Sequence, residues 1–112
     1  MPAMSYRIIL PLLAACCLGA AAPAQAPMQE LIIRNHRFEP AELRLQAGQR
    51  ASVHIRNLDP TAEEFDSTAL KVEKVIPGFS EGVVHLNSLP AGRYPFIGEF
   101  HRDTAQGVVV AQ

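Results

Sequence analysis

The residue types able to do chemistry fall in two short runs. Glu63, Glu64 and Asp66 lie within four positions around Phe65, and Glu99-Phe100-His101 follows toward the end of the chain. His36, His54 and His85 are scattered before it. Carboxylate oxygen and imidazole nitrogen suit iron, manganese, zinc or Cu(II) better than Cu(I), which prefers sulfur. The 2 Cys and 3 Met all precede Gln29, as Cys16, Cys17, Met1, Met4 and Met28. The body from Gln29 to Gln112 therefore has no disulfide, no Cys-based zinc site, no iron–sulfur cluster, no thiol nucleophile and no Cys-plus-Met blue-copper centre. By spacing alone, two acidic runs are more often solvated loops than a metal site, so the elements that carry them decide the matter.

Those elements read as β. Leu31-Ile32-Ile33 is a short strand, Leu43 and Leu45 alternate with polar neighbours, and Val53 and Ile55 alternate with Ser52, His54 and Arg56. Val83-Val84-His85-Leu86, the stretch from Tyr94 to Ile97, and Gly107-Val108-Val109-Val110 supply three more strands. Turns at Ala47-Gly48-Gln49 and Leu89-Pro90-Ala91-Gly92 punctuate them. Short strands with frequent turn signals predict an antiparallel all-β sandwich or barrel, and residues 68–75 are the one segment fit for a helical turn. Alternation predicts that His54 and His85 face outward as plain strand residues, and that Phe38, Phe65, Tyr94 and Phe96 pack the core. If Phe65 points inward, Glu63 shares its side and Glu64 lies opposite.

Other chemistries are excluded by composition. The formal net charge is −1, and Arg7 is the single charge before Glu30. The body is thus slightly acidic and lacks the basic footprint of a nucleic-acid binder. It contains no glycine-rich phosphate loop, no nucleophile elbow and no HExxH helix.

Residues 1–28 form a separate compositional unit. A short charged start, an apolar run from Ile8 to Ala22 and A-x-A spacing at Ala22-Pro23-Ala24 are the marks of a secretory signal. The expected organisation is a signal peptide at 1–24, a linker at 25–28 and one domain at 29–112. Leu13-Ala14-Ala15-Cys16 also has the form of a bacterial lipobox, which would make Cys16 a lipid anchor. Either route carries the domain out of the cytoplasm, to the periplasm.

Several segments carry a family resemblance. Phe38-Glu39-Pro40-Ala41-Glu42-Leu43 with Gln46-Ala47-Gly48 resembles the opening of cupredoxins. Val53-His54-Ile55-Arg56-Asn57 resembles their Asn-ended third strand, and the stretch from Leu89 to Phe96 resembles their lead-in to the metal loop. Asn35-His36-Arg37-Phe38, Glu63-Glu64-Phe65-Asp66-Ser67, the run from Glu73 to Gly78, and Gly98-Glu99-Phe100-His101 are closest to the EfeO-type cupredoxin-like domains. Within those, they resemble the FtrB-type periplasmic group of bacterial ferrous-iron uptake.

The resemblance implies a Greek-key cupredoxin-like β-sandwich. It puts the first ligand histidine of a blue-copper protein at Glu63 or Glu64, the loop cysteine at Gly98 with Glu99 beside it, and the methionine near Ala105. It retains the loop histidine as His101. The candidate metal ligands are His101, Glu99, Glu63, Glu64, His36 and Asp66, with Glu73 a weaker one. Asp66 has an alternative role, holding Ser67 and its loop in a turn. The ion implied is copper or iron, with manganese a further candidate. The partners implied are a periplasmic iron-binding protein and an inner-membrane iron permease. Ferroxidase-like oxidation of Fe(II), a non-redox copper or manganese carrier, and a siteless binding module for a transporter are the competing functions.

Overall fold

The computed structural model describes residues 2–12, 14–15 and 27–112. Cys16, Cys17 and the cut after Ala24 lie outside the described residues. No helix among the described residues is long and apolar enough to cross a membrane.

Nine strands follow in order among the described residues: β1 (Met28–Arg34), β2 (Arg37–Glu39), β3 (Glu42–Leu45), β4 (Ala51–Asn57), β5 (Glu63–Ser67), β6 (Val72–Ile76), β7 (Glu81–Leu86), β8 (Gly92–Gly98) and β9 (Gln106–Ala111). They form two layers, a four-stranded sheet in the order β2-β1-β4-β7 and a five-stranded sheet in the order β3-β9-β8-β5-β6. The sandwich is the expected one, but its sheets are mixed. β1 runs parallel to β4 and β3 runs parallel to β9, while the other pairs are antiparallel. Chains that cross between layers and return produce such pairs, and strand spacing in the sequence carries no trace of them.

The helical segment lies elsewhere than expected. Residues 72–76 are strand β6, paired along β5, and the short helical piece is a 3-10 turn at Glu99–His101. The sequence from Thr68 to Lys71 makes only a turn, with Lys71 at φ 57. A free edge of β5 was available to Val72–Ile76, and cross-strand pairing overrode local helix preference.

Period-two alternation builds the core. Leu31 and Ile33 of β1, Val53 and Ile55 of β4, Phe65 of β5, Val84 and Leu86 of β7, Phe96 of β8 and Val109 of β9 all point between the layers. Phe38, Phe65 and Phe96 form its aromatic centre, with ring centroids 4.9 to 6.1 Å apart. Burying one such ring stabilises the fold by about 1.5–3 kcal/mol. Gly107 leaves space for this, since a Cβ there would lie 2.3 Å from Phe96. Tyr94 packs against the core from its edge. The inward register of β5 is Glu63, Phe65 and Ser67, so an acidic residue ends a line of core side chains.

Candidate metal centre

Four connections meet at one end of the sandwich: the β1–β2 hairpin, the β4–β5 loop, the β6–β7 loop and the β8–β9 loop. Asn57, at the end of β4, ties two of them together. Its amide nitrogen donates to the carbonyls of Thr61 (2.8 Å), Ile76 (3.2 Å) and Pro77 (3.3 Å), and its Oδ1 accepts from the Asp59 backbone N–H at 3.0 Å. Gly78 packs so tightly on this loop that a Cβ would lie 2.0 Å from the Pro60 carbonyl oxygen.

Glu63 lies at the centre of this end. Its side chain is 1% exposed. Oε1 accepts the backbone N–H groups of Glu64 (3.0 Å) and Phe100 (2.9 Å), and Oε2 sits 2.5 Å from Nδ1 of His101. Burying a carboxylate is costly unless its oxygens are matched, and here three partners match them. The 3-10 turn explains two of those contacts, because it aims the Phe100 amide and the His101 ring back at β5. The ring of His36 stacks on His101 with centroids 3.5 Å apart and planes 13° off parallel. The register left open between Glu63 and Glu64 is thus set by β5: Glu63 faces in and Glu64 faces out.

The six candidate ligands divide between two places. His36, Glu63 and His101 come together at the end of the sandwich. Glu64 and Asp66 lie on the outer face of the five-stranded sheet, where their carboxylates and that of Glu73 have oxygens within 4.8 Å of one another. Partial burial and the charges of Glu73, Asp66, Glu99 and Glu63 hold the Glu64 carboxyl above its usual range. Glu99 faces this outer group and is engaged by Arg102 at 2.5 and 2.6 Å. That bond, working against desolvation, lowers its pKa. Asp66 does not hold Ser67: the Ser67 hydroxyl donates to the Pro95 carbonyl at 2.7 Å and accepts the Leu70 N–H at 2.9 Å.

The other histidines lie outside this cluster. His54, on the outer face of the four-stranded sheet, meets Glu30 through Nδ1 at 2.8 Å and Glu81 through Nε2 at 3.3 Å. His85 is exposed and pairs with the Ser52 hydroxyl at 3.0 Å.

Sequence reasoning missed Asp59. Asp59 is 8% exposed, and its two oxygens accept the backbone N–H groups of Asn35 (2.8 Å) and His36 (2.9 Å). Burial alone would raise its pKa; those two hydrogen bonds and the His36 and His101 imidazoles lower it instead. No sequence signal pointed there: the need for an outside partner shows only in the positive φ angles of the glycine-free Asn35-His36 hairpin.

This chemistry fits an ion bound by oxygen and nitrogen and does not fit a thiolate site. A Cβ on Gly98 would lie 2.6 Å from Cδ of Glu63 and 2.5 Å from Cβ of Ala105. The Glu63 carboxylate fills the space a side chain at position 98 would need. Ala105 is fully buried and offers no donor. Glu63 Oε2 and His101 Nδ1 stand a little closer than the ~2.9 Å that separates two adjacent ligands with bonds of about 2.0–2.1 Å at right angles. Nitrogen lone pairs lie in the ring plane, and the His36 ring lies flat on that of His101, so His36 joins the same ion only by turning its ring.

The fold and this loop geometry define a cupredoxin-type sandwich without its sulfur ligands. A family model described as "Cupredoxin-like domain" matches residues 7–111, and the chain belongs to that family. An uncharacterized protein of Rickettsia prowazekii is 33% identical over 81 residues, which cover 72% of this chain and 65% of that one; the chain thus matches slightly less than two thirds of this relative. The structure is similar to auracyanin A, a "blue" copper protein of Chloroflexus aurantiacus, with a TM-score of 0.66 and 16% identity over 79% of this chain and 100% of that one. It is similar to reduced auracyanin of Roseiflexus castenholzii, with a TM-score of 0.65 and 11% identity over 80% of this chain and 99% of that one. Amicyanin of Paracoccus versutus gives a TM-score of 0.58 and 16% identity, covering 83% of this chain and 87% of that one.

Proposed function

We propose that this protein binds a transition-metal ion, copper in the first place, at a thiolate-free centre held by Glu63 and His101, with His36 as a third donor once its ring turns. The observation that carries the reading is the buried Glu63 carboxylate directed at His101 Nδ1 at 2.5 Å. The copper named in the descriptions of its structural neighbours supports the choice of ion. Oxygen and imidazole donors favour Cu(II) over Cu(I) and Fe(III) over Fe(II). Copper bound there would supply a one-electron acceptor. The chain's own residues supply a buried negative charge, a fixed imidazole and a pocket closed to any side chain at position 98. Carboxylate and imidazole bind a metal ion through lone pairs that protons compete for, so affinity falls as the pH falls.

A finer reading follows from the EfeO-type and FtrB-type resemblance. The protein is exported to the periplasm and serves iron uptake, with Fe(II) as its substrate and an iron-binding protein and an inner-membrane permease as its partners. Export rests on the composition of residues 1–24, and the iron role on the segments that resemble those domains.

Calorimetric titration with Cu(II), Fe(II) and Mn(II) tests the metal centre. Binding no tighter than about millimolar, or about −4 kcal/mol, for all three ions would leave only a binding module. Fe(II) oxidation in air, with and without copper, then separates the redox reading from a carrier. No gain in rate supports the carrier.

A further inference from the structure

We infer that Asp59 is a positioning residue for this centre, holding His36 over His101 from outside the group of donors. The inference rests on the reading of Glu63, His101 and His36 as a metal centre. His36 is the second central residue of the β1–β2 hairpin, and both central residues have positive φ, 52° at Asn35 and 57° at His36. Two-residue hairpins use such angles because their twist matches that of the strands, but the second position normally belongs to glycine. A left-handed conformation is costly for a side-chain-bearing residue, so a histidine stays there only when its surroundings hold it.

Asp59 provides that hold. Its two carboxylate oxygens take the two amides that the turn directs inward, at 2.8 and 2.9 Å. The carboxylate is itself anchored. The Asp59 N–H donates to Asn57 Oδ1 at 3.0 Å, and its carbonyl accepts the Phe79 N–H at 2.9 Å. From the opposite side, the Thr104 hydroxyl donates to the His36 carbonyl at 2.6 Å, and the Thr104 N–H donates to the His101 carbonyl at 3.2 Å. The His36 backbone is therefore fixed between the loop that follows β4 and the loop that carries His101. Its side chain stacks on His101 and makes one long contact, from Nε2 to the Thr61 hydroxyl (3.4 Å), so no short hydrogen bond opposes a turn of the ring about its own bonds. That combination suits a third donor: a fixed origin and a movable ring.

The test uses the full chain, uniformly isotope-labelled. In metal-free protein, the face of the His36 ring shifts the His101 ring resonances. Asp59→Asn keeps the size of the side chain but replaces one of the two acceptors by a donor. It should move the His101 resonances to where His36→Ala moves them, with Phe65 and Val109 resonances in place. A folded Asp59→Asn protein with His101 resonances at wild-type positions would overturn the inference. Hydrogen exchange on the wild-type chain covers a variant that fails to fold: slow exchange at the Asn35 and His36 amides is expected, and fast exchange at both overturns the clamp. With Cu(II) added, Asp59→Asn and His36→Ala should lose the same nitrogen splitting in the electron paramagnetic resonance spectrum. Affinity should drop about 10–100-fold, the usual effect of removing a group that orients a ligand. A merely structural Asp59 would lower the melting temperature and leave that spectrum unchanged. If the wild type takes up no Cu(II), the metal reading fails, while the metal-free resonances still decide whether Asp59 positions His36.

Discussion

Replacing Glu63 by glutamine removes one charge and almost no volume, which makes it the sharpest probe of the centre. The glutamine oxygen can still accept the Glu64 and Phe100 amides that Oε1 accepts now, at 3.0 and 2.9 Å. Its NH2 group must face His101 Nδ1, so the imidazole has to carry its proton on Nε2. Hydrogen bonds to a charged group contribute about 1.5–3 kcal/mol and neutral ones about 0.5–1.5 kcal/mol, so each of the three contacts weakens by about 1 kcal/mol. The neutral amide also escapes the desolvation cost of a buried carboxylate, which returns part of that loss. The expected net destabilisation is about 1–3 kcal/mol, a fall in melting temperature of about 5–20 °C for a domain this small. Loss of the anionic donor should weaken Cu(II) binding by at least about 10–100-fold. Thermal melts followed by circular dichroism, and Cu(II) titration against a competing chelator, read the two effects. A Glu63→Gln protein that melts no lower than wild type and binds Cu(II) within about threefold of it would refute the reasoning, because losses of the size expected from a ligand or its orienting partner would be absent.

Further outcomes are expected. His101→Ala should weaken Cu(II) binding far more than His54→Ala, since His54 is occupied by Glu30 and Glu81 on the outer face of the other sheet; equal losses in a titration would place the centre elsewhere. Gly98→Ala should destabilise the fold by about 1–3 kcal/mol in urea denaturation, because the new Cβ overpacks Glu63 and Ala105. Copper-loaded wild-type protein should be colourless or pale, and an intense blue absorption would contradict a centre without thiolate. The Asp59 carboxyl is held below its ordinary value of 3.8, so its contribution to stability is present above that pH and lost as the pH falls through the lowered value. The urea midpoint of wild type should drop more steeply than that of Asp59→Asn across that acidic window.

Much of the sandwich was legible because alternation is a local property. Leu31 and Ile33, Val53 and Ile55, and Phe65 beside Glu63 each announce a face through their immediate neighbours, and the buried set follows them. The same alternation made the orientation of Glu63 conditional on Phe65, which is how β5 is built. What was not legible depends on strands distant in sequence. Val72–Ile76 is a strand because β5 offers it an edge, and β1 runs parallel to β4 because the chain crosses between layers. Asp59 showed nothing in sequence because its partners, Asn35 and His36, stand 24 and 23 residues away.

The sequence by itself determined which donors exist: carboxylates and imidazoles, with no sulfur after Met28. It also determined an all-β domain, through side chains that alternate along each strand. Tertiary structure alone decided which donors meet. It drew Glu63, His101 and His36 together and left Glu64 and Asp66 on the outer face of the sheet, with Glu99 facing them from the 3-10 turn. The physical reason is that covalent order sets a residue's type and its face. Proximity between residues 36, 63 and 101 arises only when two layers close and four loops pack at one end.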